Sequence, residues 1–114
     1  RGALARSAEV LRIREESGRE VDKQARLRTR EEEREARRRR NRLQAQLEEL
    51  EGNIEAVEEV LSGFDERYLN VDPSDYEAAR SLHEEQEGLK RDLQAMYAEW
   101  EELAERAKAE GAQG

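Results

Sequence analysis

Cysteine is absent from this chain, proline and histidine occur once each, and only five of 114 residues are aromatic. Without cysteine there are no disulfides and no thiolate metal sites, which fits a reducing cytoplasm. A lone histidine, His83, flanked by Glu84 and Glu87, comes with no second ligand or relay partner. It reads as a solvated helix residue and not as a metal ligand or general base. No apolar run approaches the roughly 18 residues of a membrane helix, and no signal-peptide pattern opens the chain. There is no GxxxxGK[ST] loop, no Ser-Gly-Gly signature segment and no Walker-B-type strand, so the residues offer no nucleotide hydrolysis and call for no cofactor. The start at Arg1, without methionine, points to a fragment of something longer.

Charge is abundant instead, at 44% of residues against 35% hydrophobic. Such a chain cannot fill a thick core, and a single elongated helical module is expected. Two apolar ladders supply its seam. One runs Leu43, Leu47, Leu50, Ile54, Val57, Leu61. The other runs Ala79, Leu82, Gln86, Leu89, Leu93, Met96, Trp100, Leu103, Ala107, with Gln86 as its polar, register-fixing member. Steps alternating between three and four residues put one stripe on each helix, which another helix must cover.

The break between the ladders predicts a hairpin. Gly63 after Ser62 is expected to take the left-handed conformation that ends a helix. In Val71-Asp72-Pro73-Ser74-Asp75-Tyr76, Asp72 reads as an N-cap, Pro73 as the first helical residue and Asp75 as the return acceptor of a capping box, with Val71 and Tyr76 as a hydrophobic staple. The fold class is therefore all-α: an antiparallel two-helix coiled-coil hairpin, monomeric, with a basic N-terminal helical extension. Its expected parts are an extension or linker over 1–28, partly helical, and a hairpin over 29–107. Within the hairpin come a helix over 29–62, a loop over 63–72 and a helix over 73–107, and a disordered tail covers 108–114. Ser17-Gly18 and Thr29 read as breaks within the N-terminal part.

With the loop centred near Leu69, Ile54 should face Gln86 and Leu89, Leu47 should face Leu93 and Met96, and Leu43 should face Met96 and Trp100. Arg40 would then lie over the Trp100 indole, and Gly52 and Gly88 would share one height as a soft point. Phe64, Tyr68 and Tyr76 should fold over the loop and seal the ladder's end.

The net charge of −8 hides an asymmetry: residues 1–42 carry 15 basic and 9 acidic side chains, and residues 43–114 carry 6 and 20. Basic charge peaks in Arg34, Arg37, Arg38, Arg39, Arg40 and Arg42. Six guanidinium groups in nine residues form an electrostatic footprint for phosphates or an acidic surface, as much as a solvated helix face. The acidic hairpin should repel phosphates.

The segment Phe64-Asp65-Glu66-Arg67-Tyr68 with Asp72-Pro73 behind it, the Leu-rich flanking helices, and the ending Tyr97-Ala98-Glu99-Trp100-Glu101-Glu102-Leu103 resemble the C-terminal coiled-coil domain of ABC-F ATPases. The resemblance covers about Thr29 to Arg106 and implies an antiparallel helical hairpin behind the second nucleotide-binding domain of a parent enzyme. It further implies partners in those nucleotide-binding domains and in nucleic acid or the ribosome, which the arginine cluster would contact. The other reading is a structural or protein-interaction coiled-coil spacer without nucleic-acid contact.

Overall fold

A computed structural model describes residues 2–113, with side chains through Gly111. It holds three helices in order, α1 (Gly2–Ser62), α2 (Phe64–Leu69) and α3 (Tyr76–Gln113), and no strand among the described residues. The chain divides into two compact units, Arg1–Arg38 and Arg39–Gly114.

In the first unit α1 is unbroken, where a partly helical linker was expected over 1–28. Gly18 costs only about 1 kcal/mol in a helix, too little to stop one whose neighbours are helix formers. The Thr29 hydroxyl donates to the Ala25 carbonyl at 3.0 Å, a bond made inside a helix and not at its start. Ion pairs Glu9–Arg12 and Glu15–Arg19, with a Gln24–Glu20 hydrogen bond, brace successive turns at about 0.2–0.5 kcal/mol each. Leu4, Val10, Leu11, Ile13, Val21 and Leu27 are all exposed.

The second unit is the helical hairpin. Leu47, Leu50, Ile54 and Leu103 form its buried cluster, with Leu43, Leu93, Met96, Trp100, Ala104 and Ala107 packed around it. All but Ala104 belong to the two ladders. Burying such a side chain contributes about 1.5–3 kcal/mol, and the seam is where this unit gains it.

The crossing between the arms differs from the expected ten-residue loop. Gly63 sits at φ −87°, ψ −3°, a right-handed conformation, and no described residue has a positive φ. Its amide donates to the Val60 carbonyl at 3.1 Å and its carbonyl accepts from the Arg67 amide at 3.2 Å, so α2 follows α1 almost at once. Asp65 and Glu66 lie in the first turn of α2, where the helix dipole favours acids. The true turn is Asn70–Asp75. Asp72 is an Asx-turn residue there: its Oδ1 accepts from the Ser74 amide at 2.9 Å and hydroxyl at 2.7 Å, while its carbonyl accepts from the Asp75 amide.

The N-cap falls to Asp75, whose Oδ1 accepts from the Ala78 amide at 3.0 Å, so α3 begins at Tyr76 and not at Pro73. Pro73 instead occupies the second position of the β-turn Asp72–Asp75, which its fixed φ suits. Tyr76 is 77% exposed, so neither the staple nor the seal it was to complete is formed by this ring. At the other end α3 runs to Gln113 through the expected disordered tail, Ala-Lys-Ala-Glu being good helix formers.

A turn placed later moves the register. Trp100 bonds Glu51, eight residues along α1 from the expected Leu43, or about 12 Å at the helical rise. The pairings of Leu47 with Leu93, of Arg40 with Trp100 and of Gly52 with Gly88 are accordingly replaced. We expect Gly63→Ala to be neutral or to stabilise the hairpin by up to about 1 kcal/mol, because the φ suits alanine and an added Cβ would meet only the Val60 carbonyl oxygen at 3.5 Å. A loss above about 1 kcal/mol in thermal melts would show that the residue needs a left-handed conformation.

Candidate functional site

The six candidate arginines all lie on α1 ahead of the first ladder, with Arg34, Arg37 and Arg38 in the first unit and Arg39, Arg40 and Arg42 in the second. At about 100° per residue the helix carries them on several faces. In the first unit all three are exposed, and Arg34 pairs with Glu31 at 3.8 Å. In the second, Arg39 and Arg42 are exposed and Arg40 is half-buried. Arg39 crosses to α3, with its Nε 3.4 Å from a Glu110 carboxylate oxygen. Among the described residues, Arg37, Arg38, Arg40 and Arg42 enter no ion pair.

Polar bonds along both sides of the seam hold the hairpin in register. The Trp100 indole N–H donates to Glu51 Oε1 and the Tyr97 hydroxyl to Glu58 Oε2, each at 3.0 Å. Nearer the turn, the Tyr68 hydroxyl donates to Gln86 Oε1 at 2.9 Å, which satisfies the one polar member of the second ladder. Arg67 grips Glu85 with both terminal nitrogens, at 3.2 and 2.8 Å, and its guanidinium carbon stands 4.7 Å from the centre of the Phe64 ring. Phe64 has no exposed surface, and Tyr68 meets it with ring centres 6.4 Å apart.

These contacts depend on the register set by the turn at Asn70–Asp75, which the local sequence pattern alone does not place. The available signal was two aromatic residues with polar tips on the second ladder's helix, Tyr97 and Trp100, opposite an arm rich in glutamate.

The same bonds move proton affinities. The Arg67 side chain holds Glu85 below the usual carboxylate range, and the Ser74 amide and hydroxyl do the same for Asp72. Tyr97 is raised above the usual phenol value, chiefly because its O–H is bonded to Glu58, with partial burial and the nearby negative charge adding to this.

The signs follow by linkage. A lowered carboxyl pKa gives stability that is complete above the unfolded value and is lost as pH falls through the folded one. A raised phenol gives stability complete below the unfolded value and lost as pH rises through the folded one. Melting temperature should therefore fall below about pH 4 and again above about pH 10. Glu85→Gln should flatten the acid limb and Tyr97→Phe the alkaline one; unchanged limbs in melts across that range would remove these bonds from the account.

Among the described residues, no group of three or more His, Cys, Asp or Glu side chains is arranged to hold a metal, and His83 is exposed. No described helix is long and apolar enough to cross a membrane. What the second unit offers is a two-armed helical hairpin in which Arg40 and Arg42 enter no ion pair among the described residues.

The model of the ABC transporter C-terminal domain matches residues 38–105, which take in both arms and the turn. The chain belongs to that family, and is a C-terminal domain of an ABC-type protein. Four of the six candidate arginines fall inside the matched span, and Arg34 and Arg37 precede it. No curated protein and no solved structure matches the chain.

Proposed function

We propose that this chain is the accessory C-terminal domain of an ABC-F type ATPase, and that Arg34, Arg37, Arg38, Arg39, Arg40 and Arg42 contact the phosphates of nucleic acid, free or within the ribosome. The observation that carries this reading is the density of the cluster, six arginines in nine residues, of which Arg37, Arg38, Arg40 and Arg42 enter no ion pair among the described residues. The Asp-Pro turn and the Tyr97–Trp100 pair support the ABC-F assignment. In this reading the domain is not itself an enzyme. The nucleotide-binding domains of its parent supply the chemistry, in the cytoplasm, and the domain works as a monomeric hairpin.

Arginines spread around a helix can follow a backbone, but they present no arranged set of side chains to base edges, so sequence preference should be weak. Replacing Arg37, Arg38, Arg40 and Arg42 by glutamine should weaken DNA or RNA binding about equally across sequences. Each lost phosphate contact should flatten the log–log salt slope by roughly 0.7–0.9. The hairpin's melt should stay nearly unchanged, since Arg39 keeps its bond to Glu110.

A second reading, a coiled-coil spacer or protein-interaction arm, draws on the excess of 20 acidic over 6 basic residues in 43–114. Binding that survives the quadruple replacement, or no binding even at about 50 mM salt, would favour the spacer.

A further inference from the structure

We propose that the hairpin carries a second interaction site, a groove that takes an arginine-bearing peptide segment of a partner protein. The groove, about 350 Å³, lies between α1 and α3 inside the second unit, where Tyr97 and Trp100 stand among Glu51, Glu55, Glu58 and Glu101 over the side chain of Ile54. Three properties point to a cation. First, its walls are aromatic: Tyr97 is 43% exposed and Trp100 half-buried, which leaves π surface open to a charged group.

Second, its carboxylates are not neutralised. Glu51 and Glu58 accept from neutral donors, the indole N–H and the phenol, so their positions are fixed while their charge remains. Glu55 and Glu101 enter no ion pair among the described residues. Four glutamates elsewhere on the hairpin meet cations, in Arg67–Glu85, Lys90–Glu87, Arg106–Glu102 and Arg39–Glu110. Third, no lysine or arginine lines the groove.

The occupant follows from this complementarity. A guanidinium is planar, so it can stack on an aromatic face while its N–H fork reaches carboxylates on either side; an ammonium offers charge without the plane. Phosphates are repelled, which excludes nucleic acid here. The open shape suits a side chain delivered on a continuing peptide better than an enclosed small molecule.

Trp100 is the chain's one tryptophan, so its fluorescence reports from the groove itself. The probe is a capped tetra-arginine peptide without aromatic residues, titrated into the full chain at about 100 mM salt. The account predicts a saturable change in Trp100 emission, weakened at least about fivefold in Glu55→Gln/Glu101→Gln. Glu49→Gln/Glu84→Gln, which removes the same charge away from the groove, should change it less than about twofold. Tetra-lysine should bind more weakly than tetra-arginine.

Melts of both double variants check that the hairpin persists. Should the first double variant fail to fold, Glu101→Gln alone serves the comparison. No change in emission up to about 1 mM peptide, or equal weakening in both double variants, would overturn the proposal. So would sedimentation showing that the signal comes from peptide-driven pairing of two copies.

Discussion

Phe64→Ala should cost the hairpin about 3–5 kcal/mol, the largest loss expected from any single truncation in the chain. Phe64 is the one described side chain with no exposed surface, and it sits where α1 gives way to α2. Its removal would open a cavity, deprive Tyr68 of its ring contact and take away the aromatic surface beneath Arg67. The bidentate bond from Arg67 to Glu85 then loses its support on one side. A thin hairpin relaxes around a gap more readily than a globular core does, which favours the lower figure. Thermal or denaturant melts followed by helicity provide the check; a loss under about 1 kcal/mol would show that α2 is not built on this ring.

Leu50→Ala should cost about 2–4 kcal/mol, because Leu50 belongs to the buried cluster with Leu47, Ile54 and Leu103. Leu93 is packed against that cluster but half-buried, so Leu93→Ala should fall at or below the lower end of the range. His83→Ala, on an exposed face, should stay within about 0.5 kcal/mol. The ranking matters more than any one value. Equal losses at all three positions would mean that the buried face of the hairpin has been misassigned.

Much of the fold was legible because heptad spacing is a strong and redundant signal. Six positions of the first ladder and nine of the second pointed to one seam, and Leu47, Leu50, Ile54 and Leu103 form its buried core. What escaped was the chain between the ladders. A glycine after a helix most often ends it in a left-handed conformation, whereas here the Gly63 carbonyl passes the helical hydrogen bonding on to Arg67.

Asp72 and Asp75 both had the chemistry of an N-cap, three residues apart on either side of Pro73, and local pattern alone does not rank them. The Asx turn at Asp72 makes Asp75 the cap. A few residues' displacement of the turn then moved every cross-arm pairing by about two helical turns. A hairpin transmits such an error along its whole length, because antiparallel partners share a constant sum of positions. The arginine cluster was legible as composition. The groove at Tyr97 and Trp100 was not, since it exists only in the observed register.

The antiparallel register is the claim on which the seam, the groove and the pH dependence all rest. The chain has no native cysteine, so spin labels can be placed at will. Glu58→Cys/Tyr97→Cys and Glu58→Cys/Glu84→Cys, each labelled and diluted with unlabelled protein, separate the alternatives by pulsed dipolar distance measurement. Tyr97 bonds Glu58 across the seam, whereas Glu84 lies 13 residues back along α3, about 20 Å at the helical rise. The account predicts a short distance for 58/97 and a clearly longer one for 58/84; a short 58/84 distance with a long 58/97 distance would contradict it.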